Sequence, residues 1–281
     1  MRPILEARRR CMAALGATLL TLAAGLMPGA AAAADAGAVA PRRIVVIGAT
    51  AKSARELIWQ AIAAGYSVKG IARDPGQVDL RHERLRVVQG DVYDAESIAS
   101  ALEGDEVVIS LVGPRVDPEK EVASMDLYTR GTANILAAMK RKGNRRLLVA
   151  SSIGVENLAA VPRERPSDGD PGEQWLWNSR LLYADMKAME DLVRASGLDY
   201  LIFRPAFILE EPARQDLEVR VDADSPKGRV LNSADLAAFL LDQVRDRRYL
   251  GRTVGLFSRR TLDFGGSADF QKLSAGMAAR A

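Results

Sequence analysis

The segment that most constrains this chain is Arg43 to Ala54, R-I-V-V-I-G-A-T-A-K-S-A. The β-branched run Ile44 to Ile47 stops at Gly48, and a helical pattern starts about four residues later. β-Branched side chains favour extended backbone, and glycine permits the tight turn that must follow. Such a turn lets backbone approach a phosphate, which then meets the unpaired N–H groups and partial positive charge of the helix N-terminus. This order of strand, turn and helix is how a dinucleotide pyrophosphate is held. The spacing G-x-x-G-x-x-G is filled by Gly48, Ala51 and Ala54. Only its first glycine is present, so the segment alone also fits an ordinary strand-to-helix turn.

From Arg43 onward, short β-branched runs alternate with helical patterns. That alternation predicts an α/β fold, a doubly wound parallel sheet covered on both faces. At 281 residues, 48% apolar and 27% charged, the chain suffices for one large domain, expected over residues 42–258. Strands are predicted over 43–47, 67–72, 85–88, 106–111, 146–150, 200–204 and 253–257. Helices are predicted over 53–64, over 95–102 with Asp94 as its cap, over 122–142 closed by Gly143, over 179–195, and from a capping Ser233 through 244. Residues 155–178 read as a long loop over the site, rich in proline and glycine and carrying Trp175 and Trp177. The two tryptophans either stack on a flat substrate or pack the loop down. Residues 259–281 read as a weakly ordered tail.

Residues 1–36 differ in kind. Arg2 and Arg8 to Arg10 precede an apolar run from Cys11 to Met27, and Pro28-Gly29 and a series of alanines follow. This is the pattern of a signal peptide cleaved near Ala34 to Ala36, which predicts a periplasmic or secreted protein with no stable membrane insertion. An uncleaved membrane anchor is the alternative. The arginine cluster resembles a twin-arginine signal, a route that carries proteins already folded; the general secretory route remains open. Without residues 1–36 the chain has 35 basic and 34 acidic residues, a net charge of +1, which gives no reason to expect nucleic acid as a partner. It also has no cysteine, since Cys11 is the only one. The single histidine, His82, sits in R-H-E-R, so histidine triads and histidine-rich metal sites are excluded and no metal is expected.

Ligands of open parallel sheets bind beyond the carboxyl ends of the strands. Those ends hold Gly48, Arg73-Asp74, Asp91, Ser110 to Gly113, Ser151-Ser152 and Arg204-Pro205. After the fifth strand comes Y-A-D-M-K, with Tyr183 and Lys187 four apart on one helical face. An ammonium beside a phenol favours the phenolate and brings its pKa toward the range useful for proton transfer. A serine at a strand end with a Tyr/Lys pair on the next helix suits hydride transfer to a ketone or enone, with tyrosine as proton donor. The bland alternative is a packed Tyr183 and a solvated Lys187.

Taken in order, I-V-V-I-G-A-T-A-K-S-A, I-A-R-D-P, V-V-Q-G-D-V, V-V-I-S-L-V-G, L-L-V-A-S-S-I-G-V, Y-A-D-M-K and L-D-Y-L-I-F-R-P-A resemble the short-chain dehydrogenase/reductase superfamily. The likeness, from about Arg42 to Phe257, is greatest to its atypical NAD(P)-binding branch, which includes biliverdin reductase B-type flavin reductases and nitrogen-metabolite-type redox sensors. It implies a Rossmann-type sheet. Gly48, Thr50, Ala51 and Ala54 would line the pyrophosphate turn, and Lys52 would reach a phosphate. Arg73 would hold the adenosine 2′-phosphate, implying NADP rather than NAD; an arginine there complements a dianion, although a solvated Arg73-Asp74 turn is the alternative. Asp91 and Val92 would meet the adenine, and Leu111, Val112 and Gly113 would run under the adenosine ribose. Ser152, Tyr183 and Lys187 match the catalytic serine, tyrosine and lysine, with Lys187 also bonding the nicotinamide ribose and Pro205 abutting the nicotinamide. Two departures stand out: alanine replaces two glycines of the turn, and the segment between Ser152 and Tyr183 is longer than usual. The expected function is an exported NADP-dependent reductase of a small carbonyl or quinone-like substrate. The alternative is a non-catalytic dinucleotide-binding redox sensor or assembly factor.

Overall fold

The computed structural model of this chain describes residues 43–114, 121–166, 171–226 and 229–259. The expected signal peptide and almost all of the expected tail lie outside the described residues. Strand β1 (Arg43–Ile47) sends Ile44 and Val46 into one core and Val45 and Ile47 into the other. All four are at most 1% exposed. A strand apolar on both faces belongs in the middle of a sheet covered on both sides.

The elements follow as α1 (Lys52–Ala63), β2 (Ser67–Ala72), β3 (Leu85–Gln89), α2 (Ala95–Ala101), β4 (Val107–Ser110), α3 (Leu127–Lys142), β5 (Arg146–Ala150), α4 (Pro171–Arg194), β6 (Asp199–Pro205), β7 (Phe207–Leu209), β8 (Leu217–Val221), β9 (Val230–Asn232), α5 (Ser233–Arg245) and β10 (Arg252–Ser258). The eight-stranded sheet runs β3-β2-β1-β4-β5-β6-β10-β8. Its pairings are parallel except for β8, which lies antiparallel to β10. Helices α1 and α5 pack together over one face, and α2, α3 and α4 cover the other. The expected doubly wound α/β sheet is therefore present.

Several boundaries differ from expectation for identifiable reasons. Helix α3 begins at Leu127, not near 122, because its first turn is held from outside. The Asp185 carboxylate on α4 accepts from the backbone N–H groups of Tyr128 at 2.8 Å and Thr129 at 3.1 Å, and also from the Thr129 hydroxyl. Two of the orphan donors of a helix start are thereby satisfied by a neighbouring helix. Helix α4 begins at Pro171, eight residues before the expected Ser179, so Trp175 and Trp177 are helical. Proline is tolerated in a first turn, where an N–H would have no intrahelical acceptor. The expected long loop is shortened further by a 3₁₀ segment over Ile153–Ala160, capped by the Ser152 hydroxyl. Ser233 is the first residue of α5 rather than its cap; Asn232 takes the cap position without a side-chain bond. Strands β7 and β9 form a separate parallel pair of three residues each, too short to show a period.

Candidate active site

The turn after β1 is built around Gly48, whose φ of +85° lies in the left-handed region. A Cβ there would stand 2.9 Å from the carbonyl carbon and oxygen of Leu111 and 3.1 Å from the Val112 nitrogen. Conformation and close approach both demand glycine. The Gly48 N–H donates to the Ile71 carbonyl at 3.0 Å, and the Ala51 N–H returns to the Gly48 carbonyl at 2.9 Å. Ala51 occupies the cap of α1 with no side-chain hydrogen bond, and the first turn holds no acidic residue. The N-terminus of α1 thus keeps its donors and positive end available for an anion. Ala54 is fully buried, and Ala51 packs against the same core. The methyl groups that replace the second and third glycines are thereby absorbed in apolar packing. Thr50 is exposed on the turn, and the Lys52 Nζ lies 3.2 Å from Glu210, both side chains about half-exposed.

Arg73 is exposed at the end of β2, and among the described residues no ion pair or hydrogen bond engages its guanidinium. Its neighbour Asp74 is occupied elsewhere, accepting from the Gly76 N–H at 2.9 Å and the Gln77 amide at 3.2 Å. The Asp91 carboxylate accepts from the Tyr93 N–H at 3.0 Å, and Val92 is buried with its carbonyl bonded to Asn134. The Leu111 N–H donates to the Ile47 carbonyl at 2.9 Å, carrying β4 one residue further; Gly113 is exposed. A narrow crevice, too tight in this structure to admit a water, lies between the ends of β4 and β5, lined by Ser110, Val112, Tyr128, Thr132, Val149 and Ala150. It lies beside the point where the strand order reverses, between β1 and β4, which is where ligands of such sheets bind. A glycine cradle closed to any side chain, an uncapped helix start and a free guanidinium one strand away fit a dinucleotide.

The serine, tyrosine and lysine are arranged differently from one another. The Ser152 Oγ accepts from the Gly154 N–H at 3.0 Å. Tyr183 packs directly on that turn: a Cβ on Gly154 would fall 2.2 Å from its ring and 2.6 Å from its hydroxyl. The segment between Ser152 and Tyr183, although long, therefore brings both to the end of β5. Lys187 is turned away. Its Nζ bonds both carboxylate oxygens of Asp191, at 2.7 and 2.6 Å, on the exposed face of α4. The expected lowering of the phenol's pKa does not occur in this arrangement. Burial pushes Tyr183 above its ordinary value, against the pull of hydrogen bonds with the Trp175 and Ser179 side chains. Pro205 is buried at the end of β6, in register with Leu256.

Beside these residues lies a buried charged cluster that sequence reasoning missed. Glu190, fully buried, accepts from the Ser151 Oγ at 2.7 Å, from Arg204 at 2.8 and 2.7 Å, and from Arg194 at 2.8 Å. Arg204 also reaches Glu156, which receives the Ser225 N–H and hydroxyl. Burial raises the Glu190 carboxyl, but Arg204, Ser151 and Arg194 outweigh it and hold the group below the usual range. The cluster ties β5, α4 and β6 together at the end of the sheet where the chemistry would sit. In the sequence its visible signs are Ser151 and Arg204, both at strand ends.

A family model described as NAD(P)H-binding matches residues 48–247. Dihydroflavonol 4-reductase of Hordeum vulgare is 27% identical over 190 residues, covering 59% of this chain and 53% of that enzyme. The photosystem II assembly factor Ycf39 of Cyanophora paradoxa is 24% identical over 238 residues, covering 82% of this chain and 67% of the relative. The chain thus spans only about half the length of the first of these curated relatives. Among solved structures, a short-chain dehydrogenase/reductase (wide type) of Veillonella parvula DSM 2008, in complex with NADP, superposes with a TM-score of 0.60 at 19% identity. The match covers 78% of this chain and 96% of that one, and establishes the shared fold. With the glycine turn built as such a ligand requires and the family model covering most of the described residues, the chain belongs to the NAD(P)H-binding family.

Proposed function

We propose that this protein is an NADP-dependent reductase of a small carbonyl or quinone-like substrate, acting in the periplasm or outside the cell. The observation that carries the reading is the meeting of Tyr183 with the Ser152–Gly154 turn at the end of β5, beside the crevice. The bound nucleotide would supply a hydride. Gly48 and the start of α1 would hold its diphosphate, and Arg73 would favour a 2′-phosphate. Ser152 would orient the substrate oxygen and Tyr183 would hand it a proton. A phenol whose pKa is raised remains protonated at neutrality, which suits a donor and not a base.

One observation favours a second reading, a dinucleotide-binding redox sensor or assembly factor without turnover. Lys187 is engaged by Asp191, and Tyr183 is held by Trp175 and Ser179, so the pair that would speed proton transfer is not set. Titration of the protein with NADPH and NADH by nicotinamide fluorescence, followed by a carbonyl and quinone screen of wild type and Tyr183→Phe, separates the two. Turnover abolished or sharply reduced in Tyr183→Phe supports the reductase; tight binding with no turnover on any substrate overturns it. Export is tested apart, by fractionating the native cell and sequencing the N-terminus of the recovered protein.

A further inference from the structure

Lys187 is bound to Asp191, so a group already standing at the crevice is better placed to meet the ribose beyond the diphosphate. Three hydroxyl-bearing residues line the crevice, Ser110, Tyr128 and Thr132, and among the described residues none of the three hydroxyls is engaged; the phenol of Tyr128 has the longest reach, out to the loop that follows β4. A Cβ on Gly113 would stand 3.5 Å from the Tyr128 hydroxyl. Tyr128 and Tyr183 belong to the same buried cluster. The backbone of Tyr128 is fixed by Asp185, which takes the Tyr128 N–H at 2.8 Å. The ring is buried with only 7% exposure, so the hydroxyl is presented on a rigid support. Burial, Asp185 and Tyr183 keep the phenol protonated, so it can serve only as a neutral donor and acceptor.

The strand order says which half of a ligand it would meet. Arg73 ends β2, Gly48 ends β1, and the crevice holding Tyr128 lies between β4 and β5, on the far side of β1 from Arg73. If Arg73 marks the adenosine half and Gly48 the diphosphate, Tyr128 stands at the nicotinamide half. We propose that Tyr128, and not Lys187, is the residue that hydrogen-bonds the nicotinamide-side ribose of the dinucleotide. This rests on the reading that the dinucleotide lies across the strand ends.

The test measures binding to wild type, Tyr128→Phe and Lys187→Gln, with NADPH and with adenosine 2′,5′-bisphosphate as probes. Tyrosine labelled with ¹³C at the hydroxyl-bearing carbon reports on Tyr128 directly. The expected result is that Tyr128→Phe weakens NADPH by about three- to tenfold, the range of one hydrogen bond. Its affinity for adenosine 2′,5′-bisphosphate and its melting temperature stay at wild-type values, Lys187→Gln binds NADPH normally, and the Tyr128 resonance moves with NADPH but not with the bisphosphate. Unchanged NADPH affinity in Tyr128→Phe overturns the assignment, as does an equal loss for both probes, which would mark a structural effect. If wild type binds the bisphosphate but not NADPH, the assignment also fails while the adenosine site stands. If it binds neither, the dinucleotide reading fails and takes the assignment with it.

Discussion

Replacing Glu190 by glutamine keeps the size of the side chain and removes its charge. In the wild type this carboxylate is fully buried and accepts four hydrogen bonds, three of them from the guanidinium groups of Arg204 and Arg194. A glutamine offers one oxygen and aims an amide NH₂ at a guanidinium that can only donate. Removing one partner of a buried ion pair costs about 3–5 kcal/mol, because the remaining charge is left uncompensated. Glu156, 3.4 Å from Arg204, still neutralises part of it, so the lower end of that range applies. For a domain of this size each kcal/mol moves the melting temperature by about 2–4 °C, so Glu190→Gln should melt about 6–12 °C below wild type near neutral pH.

The sign with pH follows from the lowered pKa of Glu190. A carboxyl held lower in the folded state contributes stability that is present above its unfolded pKa, about 4.3, and is lost as pH falls through the folded value. The gap between wild type and variant should therefore narrow in acid. Thermal unfolding followed by circular dichroism across a pH series measures both. Replacing the pair together, Glu190→Leu with Arg204→Met, should recover only part of the loss, since a buried pair exchanged for apolar groups is often neutral but Glu156 then keeps only Ser225 as a partner. A neutral-pH difference under about 2 °C, or a gap that stays constant in acid, would refute the reasoning.

Gly48→Ala should abolish detectable NADPH binding, because its methyl meets the Leu111 carbonyl at 2.9 Å; the left-handed φ should cost stability by about 1–2 kcal/mol, read by fluorescence titration and melting. Arg73→Glu should raise the NADPH dissociation constant more than tenfold while changing that for NADH about twofold or less, since a lost ion pair to the 2′-phosphate is worth about 1.5–3 kcal/mol; parallel changes would mean that Arg73 reads no phosphate. Asp185→Ala should destabilise the fold by about 1–3 kcal/mol, because two N–H groups at the start of α3 lose their acceptor, and amide exchange at Tyr128 and Thr129 should speed up before that of the sheet.

The parts of this protein that could be read from sequence are those governed by local rules. Ile44 to Ile47 announce a central strand because every position is apolar and β-branched, and Gly143 ends its helix in the left-handed region, as a glycine at that place should. Positions whose role is set by a distant partner could not be read in the same way. Nothing local to Asp185, between Tyr183 and Lys187, shows its role, yet its carboxylate caps a different helix at the start of α3. Glu190 is a charged residue on a helix, a pattern that ordinarily means a solvated face, and only Arg204 arriving from β6 makes its burial tolerable. The spacing of Tyr183 and Lys187 fixed that they share a helical face but not which neighbour each would choose. Asp191, four residues past Lys187, offers that ammonium a carboxylate within reach, and the side chain goes there although base before acid is the weaker order along a helix. A bound dinucleotide would have to draw Lys187 off that exposed pair to restore the expected arrangement, whereas Tyr128 already stands at the crevice with its hydroxyl free. The lysine's alternative is cheap to leave, since such surface pairs are worth only about 0.3–0.5 kcal/mol, so its present position sets a preference and not a barrier. The two residues are therefore to be told apart by which of them a nucleotide moves, and not by which one is nearer in its absence.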